Sequence, residues 1–124
     1  MVKLTVQMKR GLVKYIERLS QQIVINKVIL FGSRATKYAR PDSDIDVAVI
    51  SPSFVGKRSL DVIAFLLSQK HGLNLHLEPL GFTPEEFIEE NPGGVLDEIQ
   101  QKGVIIYKNG RFLLKRGKKA KVFA

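Results

Sequence analysis

The sequence contains no cysteine, which excludes disulfides, thiolate metal sites and cysteine nucleophiles together. Zinc fingers are excluded with them. Long apolar runs are also missing: stretches such as Val28-Ile29-Leu30-Phe31 fall far short of the roughly 20 residues of a membrane helix. No apolar segment follows Met1-Val2-Lys3 as it would in a signal peptide. The cytoplasm is therefore the expected compartment, and no membrane partner is expected. Internal repeats and low-complexity linkers are absent too. What remains is a globular composition, 44% hydrophobic and 26% charged over 124 residues, enough for one domain that buries roughly two-thirds of its unfolded surface.

Acidic residues are scarce at one end. Twenty Lys and Arg against 12 Asp and Glu give a formal charge of +8. Lys115, Arg116, Lys118, Lys119 and Lys121 supply five of those charges with no acid among residues 115–124. The sequence thus divides into a domain over 1–114 and a basic, mobile tail over 115–124. Aromatic residues near the tail amount to Phe112 and Phe123, too few for a stacking platform, so nucleic-acid binding is expected to be weak. The body is only mildly basic, which suits a site for a polyanion such as a nucleoside triphosphate.

Hydrophobic periodicity switches along the chain between 3.6 and 2, which predicts an α+β fold: a small mixed sheet covered by helices, chiefly on one face. Leu12, Ile16, Leu19 and Ile23 form the stripe of a helix over about 6–22. Strands are predicted over 28–31 and 44–50, with a short helix over 33–39 between them. Ser59 opens a helix through about His71. Leu73, Leu75 and Leu77 alternate with Asn74, His76 and Glu78 as a third strand. Thr83-Pro84-Glu85-Glu86 is a capping box whose helix carries Phe87 and Ile88 inward. A helix over 95–102 and a hairpin turning at Asn109-Gly110, with strands 104–107 and 111–114, complete the prediction.

The chemistry is concentrated in Phe31-Gly32-Ser33-Arg34-Ala35-Thr36-Lys37 and Asp42-Ser43-Asp44-Ile45-Asp46-Val47. Alternate residues of a strand share a face with α-carbons about 6.6 Å apart, so Asp44 and Asp46 can converge on shared cations. Two adjacent carboxylates repel unless a cation lies between them, and hard oxygen ligands suit Mg²⁺ or Mn²⁺, which favour phosphate oxygens as further partners. Gly32 lets the backbone approach a ligand closely. Ser33 offers an N–H and a hydroxyl to phosphate oxygens, and Arg34 and Lys37 can neutralise the same phosphates.

Gly32-Ser33, ten intervening residues, then Asp44-Ile45-Asp46 resembles the signature of the DNA polymerase beta-like nucleotidyltransferase superfamily. The short chain and the segment Glu78-Pro79-Leu80-Gly81-Phe82-Thr83-Pro84-Glu85-Glu86-Phe87 are similar to its minimal nucleotidyltransferase branch. The resemblance spans residues 10–107. It implies attack of a hydroxyl on the α-phosphate of a nucleoside triphosphate, with ATP as donor of AMP and two Mg²⁺ or Mn²⁺ ions held by Asp44 and Asp46. It also implies a third carboxylate from a later strand, for which Glu78 is the candidate as catalytic residue and metal ligand. His76, on the same side, is expected to line the site or face solvent. Members of this branch pair with HEPN-type toxin proteins, which they neutralise by binding or by AMPylation, so the resemblance implies the antitoxin of a toxin–antitoxin system. Two alternatives remain open at this point: an inactive domain that only binds its partner, and nucleotidyl transfer to a small molecule such as an aminoglycoside.

Overall fold

The structure is a computed structural model that describes residues 2–36, 38–89, 93–116 and 121–122. Its first helix, α1 (Val6–Ser20), starts where the Thr5 side chain accepts from the Met8 N–H at 3.1 Å, satisfying one of the orphan donors of a first turn. The buried stripe Leu12, Tyr15, Ile16 and Leu19 then faces a sheet built from β1 (Lys27–Phe31), β2 (Ile45–Ile50), β3 (Leu77–Phe82), β4 (Val104–Lys108) and β5 (Arg111–Phe112). In space the order is β3-β2-β1-β4-β5, so β3 is an edge and β2 lies inside. The β2–β3 pair is parallel and the others antiparallel. This is the expected α+β mixed sheet.

The period-two alternation of β2 decides what each face does. Ile45, Val47 and Val49 enter one core with α1 and with Val62 and Leu66 of α2 (Ser59–Ser68). Ala48 and Ile50 enter a second core with Ile29, Phe31 and Ile99 of α4 (Val95–Lys102), against which Phe87 of α3 (Pro84–Ile88) also packs. The helices therefore divide, the two long ones on one face and the two short ones on the other. Ile106 and Tyr107 are neighbours in sequence yet both join the first core. A bulge in the β1–β4 pairing between Val28 and Ile29 permits this, because an extra residue on one strand resets the alternation.

Several predicted elements change extent. The third strand occupies 77–82 rather than 73–78, because Gly72 and Asn74 adopt positive φ of 78° and 50°, incompatible with an extended run. Leu73 and Leu75 still pack against the first core. The segment after Phe31 is a 3-10 turn, Gly32–Ala35, not a helix to residue 39. The second helix ends at Ser68, and its cap position belongs to Arg58, with Ser59 already inside. Arg58 instead bridges to Asp61 at 2.9 Å on the surface. The capping box at Thr83–Glu86 forms in both directions, but Ile88 is 77% exposed, since neighbouring residues in so short a helix diverge by about 100°. Asn109 and Gly110 take φ of 49° and 83°, the pair of positive values that a type I′ hairpin turn demands. The hairpin's second strand is only Arg111–Phe112, and Leu114 turns into the first core. Within the basic segment, Lys115–Arg116 pairs with Lys121–Val122 as two short strands, β6 and β7; residues 117–120 and 123–124 lie outside the described residues. Among the described residues no helix is long and apolar enough to cross a membrane.

One polar contact ties the two long helices together. The fully buried Tyr15 hydroxyl donates to the Leu66 carbonyl at 2.8 Å, and burial pushes its ionisation well above the ordinary range. Tyr15→Phe should therefore cost about 1 kcal/mol of unfolding free energy, the usual net loss for a hydrogen bond whose acceptor stays buried. Urea denaturation at neutral pH measures it.

Candidate active site

Three neighbouring strands bring the carboxylates together at one end of the sheet. Phe31 pairs with Asp46, and Asp46 pairs in parallel register with Glu78, so Gly32, Asp46 and Glu78 follow one another across strands spaced about 4.8 Å apart. Asp44 stands immediately before β2 and is exposed; Asp46 is half-buried; Glu78 is exposed. Because Ile45 and Val47 are sealed in the first core, the alternation turns Asp46 to the opposite face, shared with α4. The Asp46 carboxyl is held above its ordinary range by burial first, then by the negative charges of Glu78, Asp44 and Glu98. Among the described residues the ion pair Arg58–Asp61 is the only one, so none of the described Lys or Arg side chains forms a direct ion pair with this cluster.

Glu98 is the member that sequence reasoning missed. It lies in the first turn of α4, beside Ile99, which is buried under the sheet. The amphipathic pattern of 95–102 was readable, but which sheet face the helix covers was not, and only that choice sets Glu98 near Asp46.

Gly32 fits its place closely. Its φ is 70°, and a Cβ built there would overlap the Asp46 carboxylate. Only glycine allows both the left-handed backbone and that carboxylate over its α-carbon. Ser33 follows in the 3-10 turn, partly exposed beside the cluster.

Arg34 does something other than meet phosphates. It is 4% exposed, and its guanidinium donates to the carbonyls of Ser43 (2.8 and 3.2 Å), Pro41 (3.1 Å) and Lys3 (3.1 Å). A rigid fork of donors matches such a set of carbonyls. Arg34 thus clamps the loop that leads into Asp44 and ties the N-terminal segment to it. The expectation that it binds nucleotide is replaced by this positioning role. Lys37 lies outside the described residues. His76 is exposed, and its carbonyl accepts from the Ile45 N–H at 2.8 Å, extending the β2–β3 pairing backwards.

A cleft of about 460 Å³ adjoins the carboxylates and is lined by Phe31, Asp46, Lys70, Leu77, Glu78 and Leu80 among others. Among the described residues no three His, Asp or Glu side chains close into a cage for a metal ion. Magnesium does not require one, since it is commonly held by one or two carboxylates with phosphate oxygens and water completing its shell. An uncompensated carboxylate pair fits that donor set.

Two mutational outcomes follow from this geometry. Asp46→Asn should raise the melting temperature of the metal-free protein at neutral pH, because a carboxyl with an elevated folded-state pKa contributes stability while protonated and loses it as pH rises through that pKa. The advantage should fade as pH falls toward the ordinary value near 3.8, as thermal melts across pH will show. Gly32→Ala should cost roughly 1–2 kcal/mol from the left-handed backbone, plus the displacement of Asp46. In an Asp46→Ala background only the first cost should remain, which a double-mutant cycle by denaturation resolves.

Comparison with known proteins agrees with this architecture. A family model described as a nucleotidyltransferase domain matches residues 10–108. No curated protein sequence matches significantly. Among solved structures, the chain is similar to a protein of Sulfolobus solfataricus provisionally assigned as a nucleotidyltransferase, at a TM-score of 0.57 and 16% identity over 87% of this chain and 92% of that one. That likeness is one of fold. With the family model covering β1 to β4, the Gly32 turn and all the carboxylates of the cluster, the chain belongs to the nucleotidyltransferase domain family.

Proposed function

We propose that this protein is a metal-dependent nucleotidyltransferase that moves AMP from ATP to a hydroxyl on a partner protein, as the antitoxin of a HEPN/MNT pair. The observation that carries the reading is that Gly32, immediately after β1, lies against Asp46 on β2, which pairs in register with Glu78 on β3. Family membership supports nucleotidyl transfer in general; the donor, the metal and the partner are our reading of the sequence pattern and the site.

In this reading the Gly32-Ser33 turn receives the terminal phosphates, through backbone N–H groups and the Ser33 hydroxyl. Asp44 and Asp46 would hold two Mg²⁺ or Mn²⁺ ions, which when bound would offset phosphate charge and orient the attacking and leaving oxygens. Glu78 takes the proton of the acceptor hydroxyl. The acceptor oxygen forms a bond to the α-phosphorus, the bond from that phosphorus to the bridging oxygen of pyrophosphate breaks, and pyrophosphate leaves. Arg34 contributes by fixing the loop before Asp44.

A second reading is a domain that binds its partner without transfer, since Glu78 is exposed and a third carboxylate must reach the metal for the first. One experiment separates the two. The protein is co-expressed with the product of its neighbouring gene, then incubated with Mg²⁺ and ATP labelled on the α- or the γ-phosphate. Retention of the α label alone on the partner supports adenylylation; retention of neither label, with the complex intact, supports binding alone. Within the transferase reading, Asp44→Asn and Asp46→Asn should abolish Mg²⁺-dependent ATP binding. Glu78→Gln should keep it while transfer falls roughly 10²–10⁴-fold, the usual loss of a positioned base. Calorimetric ATP titration and label transfer report the two effects separately.

A further inference from the structure

The row of site residues has a direction. Gly32 lies on the β1 side of Asp46 and Glu78 on the β3 side, and β3 is the outermost strand. If triphosphate is received at Gly32-Ser33 and the acceptor is deprotonated at Glu78, the acceptor arrives from beyond the β3 edge. That space is a built feature of the fold. Where α2 runs into the segment before β3, a second cavity of about 630 Å³ is lined by Ser68, Lys70, His71, Asn74 and His76 with Leu67 and Leu75. It shares Leu67 and Lys70 with the cleft beside Asp46 and Glu78, so the two adjoin across those side chains.

The chemistry of its lining is opposite to that of the cluster. No Asp or Glu contributes to it; an ammonium, two imidazoles, an amide and a hydroxyl do. The Lys70 ammonium gives one donor to the Leu77 carbonyl at 3.1 Å, which leaves two of its three N–H groups for a ligand. The floor is fixed from below. Arg18 donates to the carbonyls of Gln69 (2.6 Å) and His71 (2.9 Å), and the left-handed Gly72 and Asn74 turn the chain back toward β3. Donors held on a braced turn beside an acid-only centre select an anionic group next to the reacting hydroxyl.

We propose that this groove binds the acceptor, and that the acceptor is a protein segment carrying carboxylates on either side of its hydroxyl residue. The assignment rests on the transferase reading above. The groove is open to solvent and adjoins the cleft beside Glu78, a layout that suits an extended chain better than an enclosed small molecule. Carboxylates on the segment meet Lys70, His71 and His76, while its hydroxyl reaches Glu78. Such contacts also keep the segment's own negative charge away from Asp46.

The test is direct binding, without transfer. A short fluorescent peptide with a central tyrosine flanked by glutamates is compared with a twin in which glutamines replace them, by anisotropy at low salt. The glutamate peptide should bind about tenfold tighter or more, as expected for charge-assisted hydrogen bonds, and Lys70→Gln combined with His76→Gln should remove the preference. Circular dichroism checks each variant. If loss of the Lys70 contact to Leu77 unfolds the protein, the exposed pair His71→Gln and His76→Gln should still reduce the preference. Equal binding of the two peptides, a preference that survives both variants, or binding of a small sugar phosphate with neither peptide bound would each overturn the proposal. Titration of the unmodified protein with Mg²⁺ and ATP is run in parallel. Failure there with the peptide preference intact would defeat the transferase reading while supporting the groove as a site for acidic chains.

Discussion

Everything at this site depends on where the Asp46 carboxylate is held. It lies over the α-carbon of Gly32 on one side and beside Glu78 in register on the other, with like charges around it and burial raising its proton affinity. Such an arrangement costs stability, and the rest of β2 offsets it. Ile45, Val47 and Val49 are sealed into the first core, while Ala48 and Ile50 join the second. A one-residue slip of register would drive Asp46 into hydrocarbon and expose that whole apolar set. The two cores therefore specify the position of one carboxylate more strictly than any contact the carboxylate makes itself.

The same logic explains what was legible in the sequence. Gly32, Asp44 and Asp46 were readable because their signals are local: a glycine ending an apolar run, and carboxylates alternating with branched apolar residues. Thr83–Glu86 and Asn109-Gly110 were readable for the same reason, each being a complete piece of cap or turn chemistry. The third strand was misplaced because Leu73, Leu75 and Leu77 give an alternating pattern that the left-handed backbone at Gly72 and Asn74 overrides. What locates β3 is pairing with β2, a long-range fact. Glu78 stayed in the right neighbourhood only because the observed strand begins at Leu77.

Arg34 and Glu98 show the other limit. A basic residue after a Gly-Ser turn has the local signature of phosphate binding, yet the buried Arg34 guanidinium donates to the main-chain carbonyls of Ser43, Pro41 and Lys3. Glu98 has the local signature of a helix first turn, where an acid complements the dipole, yet tertiary packing adds its charge to Asp46. In both cases the side chain's chemistry was evident and its address was not. Periodicity gives the face of an element, but the partner of that face is settled by the whole fold.

Arg34's placement bears on how charge is handled in the proposed reaction. With its guanidinium committed to Ser43, Pro41 and Lys3, the described residues leave no arginine at the Gly32-Ser33 turn to meet a triphosphate. Backbone N–H groups and a hydroxyl orient phosphate but carry no net charge, and the adjacent cluster is wholly acidic. A triphosphate brought beside Asp46 without a cation would add repulsion to repulsion. In the proposed reaction the carboxylates and the nucleotide would thus share one need, a divalent ion between them, for which the Gly32 side offers oxygen ligands. A cation, Lys70, is fixed on the Leu77 carbonyl at the β3 side of the cleft. In the proposed reaction a metal ion would serve where the donor is read and the ammonium where the acceptor is read, which would give the two substrates different electrostatic addresses on either side of β2.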